Sequence, residues 1–208
     1  MNVCFFLGII CALVVMIEKL VEKLNSLSPL SNELADRIRS LAKITTYRAG
    51  DLILKEGDIC RSACLVLKGL TRSFYINGEL DITSRFMEEG FIVTSWPSYY
   101  TQKPGNEFIE AAEETTLACL AYDEIQQLYI DFPEFNINVR RQVEFAFYLA
   151  EQRTQLLRKH TAEEKYKIFL DNHPTLMQRV PLKHIATYLG KNEETLSRVR
   201  SKYHRKHS

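Results

Sequence analysis

Between residues 45 and 120 the chain is cut into short β-prone runs by turn signals, and one of these signals admits few alternatives. Asn77-Gly78 stands between the runs 72–76 and 81–86, both rich in aromatic and β-branched residues. A tight hairpin turn needs positive φ, and Asn-Gly supplies it at little steric cost. Further turn signals fall at Ala49-Gly50-Asp51, Glu56-Gly57-Asp58, Lys68-Gly69 and Pro104-Gly105-Asn106. Short strands at near-regular spacing predict an antiparallel sandwich or roll.

On either side the texture is helical. Leu20, Leu24 and Leu27 recur at helical spacing, Ser28-Pro29 breaks the run, and Ser31 is placed to cap a helix over 32–41. Past the β block, Tyr122-Asp123-Glu124 opens a short helix that stops near Phe132-Pro133. A longer helix is expected over 134–160, with Val139, Val143, Ala146, Leu149 and Leu156 along an apolar seam. Such a seam fits either a coiled-coil contact with a second copy of the chain or packing on the chain's own roll. Thr161-Ala162-Glu163-Glu164 has the pattern of a capping box for the next helix, which Asn172-His173-Pro174 ends. The fold class is therefore α+β: a double-stranded, jelly-roll-like β-roll with flanking helices, then a long helix, then a helical C-terminal domain. The expected boundaries are a leader at 1–16, the roll at 17–132, the long helix at 133–160 and the last domain at 161–208.

Charge separates the last domain from the rest. From Arg179 onward eight Lys and Arg face only Glu193 and Glu194, a local charge of +6, so a chain of net +1 carries −5 elsewhere. A basic end on an acidic body fits contact with a polyanion, and on charge alone a solvated tail fits as well. Five cysteines, an odd number in a chain of 208 residues, argue against a disulfide scaffold, so buried or free thiols are expected. Cys60 and Cys64 have no second pair and no nearby His, and no metal site or cofactor is expected. No nucleophile–base pair or phosphate loop marks an enzyme.

The uncharged run from Val3 to Ile17 is short for a membrane span and lacks a secretory cleavage pattern. Met16 is followed by an ordinary amphipathic helix start, which favours translation from Met16 with the first 15 residues a start-site artefact or vestigial leader. A membrane anchor is the other reading of the same run.

The most informative stretch is 180–202. Pro181 suits a first helical turn, and Leu182, Ile185, Ala186 and Leu189 make one apolar face. Gly190 permits a left-handed turn, Asn192 can cap a second helix, and Glu193 and Glu194 suit its positive end. Leu196 and Val199 face back toward the first helix. This is helix-turn-helix spacing, a geometry that lays its second helix in the major groove of DNA. Arg198 is the candidate for bidentate contact with guanine, and Glu194 can accept from cytosine and brace Arg198 across one turn. Thr195, Ser197, Arg200 and Lys202, with Lys183 and Lys191, are candidates for phosphate and further DNA contact.

With these residues in view, the chain over roughly 30–202 resembles the Crp/Fnr superfamily of transcription regulators. Tyr47-Arg48-Ala49-Gly50-Asp51, Glu56-Gly57-Asp58 and Leu65-Val66-Leu67-Lys68-Gly69-Leu70-Thr71-Arg72 are similar to the turns and strands of a cyclic-nucleotide-binding roll. Glu194-Thr195-Leu196-Ser197-Arg198 is similar to the family's recognition-helix core. The resemblance implies a cytoplasmic homodimer, a long dimerisation helix and a winged helix-turn-helix on double-stranded DNA; it also allows contact with RNA polymerase, which no residue pattern decides. A membrane partner is not expected.

Departures from the family pattern bear on the effector. Where cyclic-AMP-binding members carry Gly-Glu-Leu, this chain reads Gly90-Phe91-Ile92-Val93-Thr94-Ser95-Trp96, and Glu107 falls where an Arg-Ser pair would meet the cyclic phosphate. A carboxylate there would repel the ligand, so no cyclic AMP response by the usual contacts is expected. Phe91, Thr94, Trp96, Tyr99 and Glu107 are candidates to line a pocket for an unknown small effector, with packing of the roll the favoured reading of the aromatic members. A ligand-sensing roll without DNA binding, tethered through residues 3–17, is the alternative function.

Overall fold

The residues Ala63 to Leu67 offer no polar side chain to water, so a strand built from them must be covered on both faces. The computed structural model describes residues 3–207, with side chains from Cys11 onward except His204, Lys206 and His207; the side chains of residues 1–10, Cys4 among them, lie outside the described residues. The strands are β1 (Lys43–Tyr47), β2 (Leu52–Leu54), β3 (Ser62–Lys68), β4 (Thr71–Asn77), β5 (Leu80–Met87), β6 (Ile92–Val93), β7 (Phe108–Ala111) and β8 (Thr115–Ala121). The helices are α1 (Val3–Leu27), α2 (Asn32–Leu41), α3 (Trp96–Thr101), α4 (Tyr122–Asp131), α5 (Phe135–Lys159), α6 (Ala162–Asn172), α7 (Leu176–Arg179), α8 (Leu182–Tyr188) and α9 (Glu193–His207).

Two compact units divide the chain: Met1–Thr71 with Met87–Glu144, and Arg72–Phe86 with Phe145–Ser208. This differs from the expected boundaries. The β4–β5 hairpin belongs with the C-terminal helices, and α5 contributes to both units.

In the first unit the apolar run lies in β3, within an antiparallel sheet of order β1-β8-β3-β6, and β2 pairs with β7. Alternation along β3 sends Leu65 and Leu67 into a core with Leu24, Leu34, Ile38, Leu128 and Phe135. It sends Cys64 and Val66 to the other side, against Leu54, Val93, Ile109 and Leu117. Gly69 turns β3 toward the next strand at φ +93°, and a Cβ there would sit 2.4 Å from the Glu114 carbonyl oxygen, so no other residue fits.

Ser31 caps α2 as expected, its hydroxyl accepting from the Leu34 amide at 3.2 Å. Buried Asn138 of α5 donates to the Leu24 and Ser28 carbonyls at 2.8 and 2.7 Å, satisfying groups that the end of α1 leaves free. α1 begins at Val3 rather than near Ile17, because no proline interrupts the leader and a started helix propagates. Leu20, Val21 and Leu24 are buried, whereas Leu13, Val14 and Val15 are exposed. No described helix is long and apolar enough to cross a membrane.

The cysteine expectation is corrected. Cys64 and Cys119 form a disulfide, while Cys11 is a free, exposed thiol and Cys60 a free, buried one. The register explains it: β3 and β8 run antiparallel with Cys64 directly opposite Cys119, their Cα atoms 4.0 Å apart. Fifty-five residues separate the two in sequence, so parity could not reveal the pairing.

In the second unit the hairpin forms where predicted, but its loop is Gly78-Glu79, one residue later than Asn77-Gly78. Gly78 has φ +63° and Glu79 is not among the positive-φ residues, which is the pattern of a turn led by glycine. Asn77 completes β4 instead. Among the described residues no strand follows Ala121, so the expected wing has no counterpart there. Residues 201–207 contain no Gly or Pro to release the chain from α9.

Candidate nucleic-acid interface

The C-terminal helix pair forms as the spacing predicts. Ile185, Ala186 and Leu189 are fully buried beside Leu196 of α9. Gly190 takes φ +64°, and a Cβ would come within 3.3 Å of Leu157, so both conformation and space favour glycine at this turn. The Asn192 side chain accepts from the Thr195 amide at 2.9 Å, capping α9. The capping box at the start of α6 is complete: the Thr161 amide donates to Glu164 at 2.8 Å and the Glu164 amide to Thr161 at 3.4 Å. These bonds hold the Glu164 carboxyl below its usual range.

With Leu196 inward, the outward face of α9 follows. Glu194, Ser197, Arg198, Arg200 and Lys202 are exposed and Thr195 is half-buried. Arg198 reaches Glu194 at 3.9 Å across one turn, with side chains 72% and 80% exposed, so the guanidinium is displayed and only loosely braced. Lys202 is engaged within the unit by Glu163 of α6, which leaves Arg198 and Arg200 as the more available cations of this face. Lys183 is exposed on α8 and Lys191 is half-buried in the turn.

Two positioning groups escaped the sequence reading. Arg153 of α5 donates to the Tyr188 carbonyl and lies 3.6 Å above the Tyr188 ring. Lys165 of α6, only 5% exposed, donates to the Leu189 carbonyl at 3.4 Å. Two cations thus sit on the last carbonyls of α8, where the helix dipole is negative. They fix the turn from which α9 departs. Burial lowers the Lys165 ammonium from its ordinary value of 10.5, and Lys191 and Arg153 lower it further. The folded state therefore releases this proton at a lower pH than the unfolded chain, and the charging penalty is relieved as pH rises toward 10.5. Wild-type protein is expected to gain unfolding free energy relative to Lys165→Met as pH is raised from neutral to alkaline. Urea melts at each pH measure this, and parallel pH profiles would mean that the ammonium is not desolvated.

The hairpin supports α8. Arg72, 2% exposed, binds Asp81 through both guanidinium ends and donates to Thr83 at 3.2 Å. Its Nη1 also lies 2.9 Å from His184 Nδ1, and since a guanidinium can only donate, Nδ1 accepts. The Thr83 amide donates to the Thr187 hydroxyl at 3.1 Å, and the Phe86 and Tyr188 rings meet at 5.2 Å.

In the first unit a cavity of about 490 Å³ opens inside the roll, lined in part by Leu54, Arg61, Ser62, Val93, Thr94 and Ile109. Of the five expected pocket residues only Thr94 lines it. Tyr99 instead joins both cores and meets Trp96 and Tyr122 edge-on at 6.5 and 5.1 Å, and burial pushes its phenol up. Phe91 is half-buried and Glu107 is buried, neither on the cavity wall. Arg61, by contrast, brings to this cavity a cation that the sequence reading did not place there.

Along α5, Val139 packs on the core of the first unit, whereas Val143 is 43% exposed. Ala146, Leu149 and Leu156 are half-buried, and Phe147 and Tyr148, outside the expected seam, are exposed at 67% and 55%.

This architecture is shared with solved regulators. FixK2 from Bradyrhizobium japonicum matches with a TM-score of 0.70 at 19% identity, over 79% of this chain and 85% of that one. The c-di-GMP responsive global regulator CLP from Xanthomonas campestris matches at 0.67 and 15%, over 85% and 93%. A transcriptional regulator of the CRP/FNR family from Thermus thermophilus matches at 0.62 and 21%, over 79% and 87%. No protein-family model matches the sequence, and comparison with curated proteins finds no relative. The fold is that of the Crp/Fnr regulators, as the residue patterns implied.

Proposed function

We propose that this chain is a homodimeric, cytoplasmic transcription regulator of the Crp/Fnr type, not an enzyme, that reads double-stranded DNA with α9. One observation carries the reading: a capped helix buries Leu196 and turns Glu194, Ser197, Arg198 and Arg200 outward at the basic end of an otherwise acidic chain. The exposed apolar part of α5 around Val143 and Phe147 is the contact between the two copies, placing two recognition helices in successive major grooves. The cavity in the roll is where a small effector would act. The stretch 90–96 carries no Gly-Glu-Leu, and Glu107 stands where an Arg-Ser pair would meet the cyclic phosphate, so cyclic AMP bound by the usual contacts is not that effector.

Selection of bound fragments from random duplexes tests this directly. A pseudo-palindromic site with half-sites about ten base pairs apart is expected, with affinity falling steeply as salt rises. Arg198→Ala should cost about 1–3 kcal/mol on the selected site and relax the preference at one base pair. A chain that enriches no sequence and shows no salt slope would leave the sensing roll as the remaining function.

A further inference from the structure

The Cys64–Cys119 bond joins two strands that other contacts already hold in place. Ser62↔Ala121, Ala63↔Leu120, Leu65↔Ala118 and Val66↔Leu117 fix the register on both sides of the pair. Apolar cores cover both faces of β3, so the unit does not need a staple to stay folded. The ladder also keeps the two sulfurs adjacent when they are not bonded, which makes re-formation effectively unimolecular. Reagents have a route in, because Cys64 lines the 490 Å³ cavity, and Arg61 brings a cation to the same wall.

We propose that Cys64 and Cys119 are a reversible thiol–disulfide site, with a thiol or dithiol as reductant and a peroxide as oxidant, whose state sets DNA affinity. The last clause rests on the regulator reading. Proteins that act on DNA work in reducing compartments, where disulfides are rare and those present are catalytic or redox-sensing.

The chemistry closes without further reagents. In reduction, a thiolate of the dithiol attacks Cys64 Sγ, the Sγ–Sγ bond breaks and Cys119 leaves as thiolate. The second thiol of the reductant then cleaves the mixed disulfide and releases Cys64 as a thiolate; two electrons have passed from the reductant to the protein sulfurs, and the reductant leaves as a new disulfide. In oxidation, the Cys64 thiolate attacks a peroxide oxygen and the O–O bond breaks to give a sulfenic acid. The Cys119 thiol displaces its hydroxyl as water. Cys64 also pairs with Val93 of β6, and the next residue, Thr94, lies 3.3 Å from the Cys60 sulfur. The change of state is therefore felt along β6 at the start of α3.

Full-length protein equilibrated in glutathione buffers of graded ratio, then alkylated and weighed, counts the thiols. Two cysteines are expected to appear and disappear together as the folded protein is reduced with glutathione and oxidised with hydrogen peroxide. A bond that glutathione cannot open in the folded protein, or thiols that peroxide does not join, would overturn the site. Affinity for a selected duplex is expected to differ at least about fivefold between the two states. Cys119→Ser should abolish the difference and Cys60→Ser should keep it, with circular dichroism showing that both fold. Equal affinities in the two states would overturn the regulatory role. Absence of DNA binding in both states would overturn the regulator reading, while the thiol counts would still judge the couple.

Discussion

Replacing Asp81 with alanine is expected to lower the unfolding free energy by about 3 kcal/mol, a large share of the stability of a domain this size. Arg72 is 2% exposed and binds Asp81 through both ends of its guanidinium. A charged group withdrawn from water needs a matched partner, and removing one member of such a pair costs more than the pair contributes. The same guanidinium holds Thr83 and His184, so the loss spreads to the contact between the β4–β5 hairpin and α8. Asp81→Asn keeps one acceptor and should lose less. Denaturant unfolding read by both fluorescence and circular dichroism measures the effect. A loss below about 1 kcal/mol, the worth of an exposed ion pair, would show that the network is not desolvated. The fall in stability should come with weaker duplex binding, because His184 and Thr187 belong to the helix on which α9 rests.

What the sequence made legible follows from how local each signal is. Ser31, the Thr161–Glu164 box, Asn192 and Gly190 act within three or four residues of themselves, and each does in the structure what its position predicts. The hairpin was found but its loop fell one residue late: Asn77 prefers the ladder, and Gly78 alone supplies the positive φ. The cysteine pair depended on the register of β3 against β8, which no local pattern encodes. Arg153 and Lys165 read as ordinary surface cations of amphipathic helices. Lys165 is buried and Arg153 half-buried because α5 and α6 pass beneath the end of α8, where they meet the carbonyls of Leu189 and Tyr188. The cavity wall was missed for a related reason. Aromatic residues such as Tyr99 have more to gain from the core than from lining a partly polar space; of the expected residues Thr94 does line the wall, while Ser62 and Arg61 were not foreseen there.

Leu196→Ala is expected to cost about 2–5 kcal/mol, the range for a fully buried leucine whose cavity cannot close. Leu196 has no exposed surface and lies in the same core as Ile185, Ala186 and Leu189. Those side chains are held by the turn at Gly190 and by the carbonyl contacts of Arg153 and Lys165, so little can move to fill the space. Ser197→Ala, one residue along on the exposed face, should change stability by no more than about 0.5 kcal/mol. Urea unfolding at constant m-value compares the two, and similar losses for both would mean that α9 does not pack through Leu196. The contrast also separates folding from readout. Leu196→Ala should weaken every duplex alike, because the helix itself is loosened. Arg198→Ala should leave the melting curve unchanged and weaken only the duplexes that carry the base it reads, because among the described residues its 72% exposed side chain makes only a loose ion pair with Glu194.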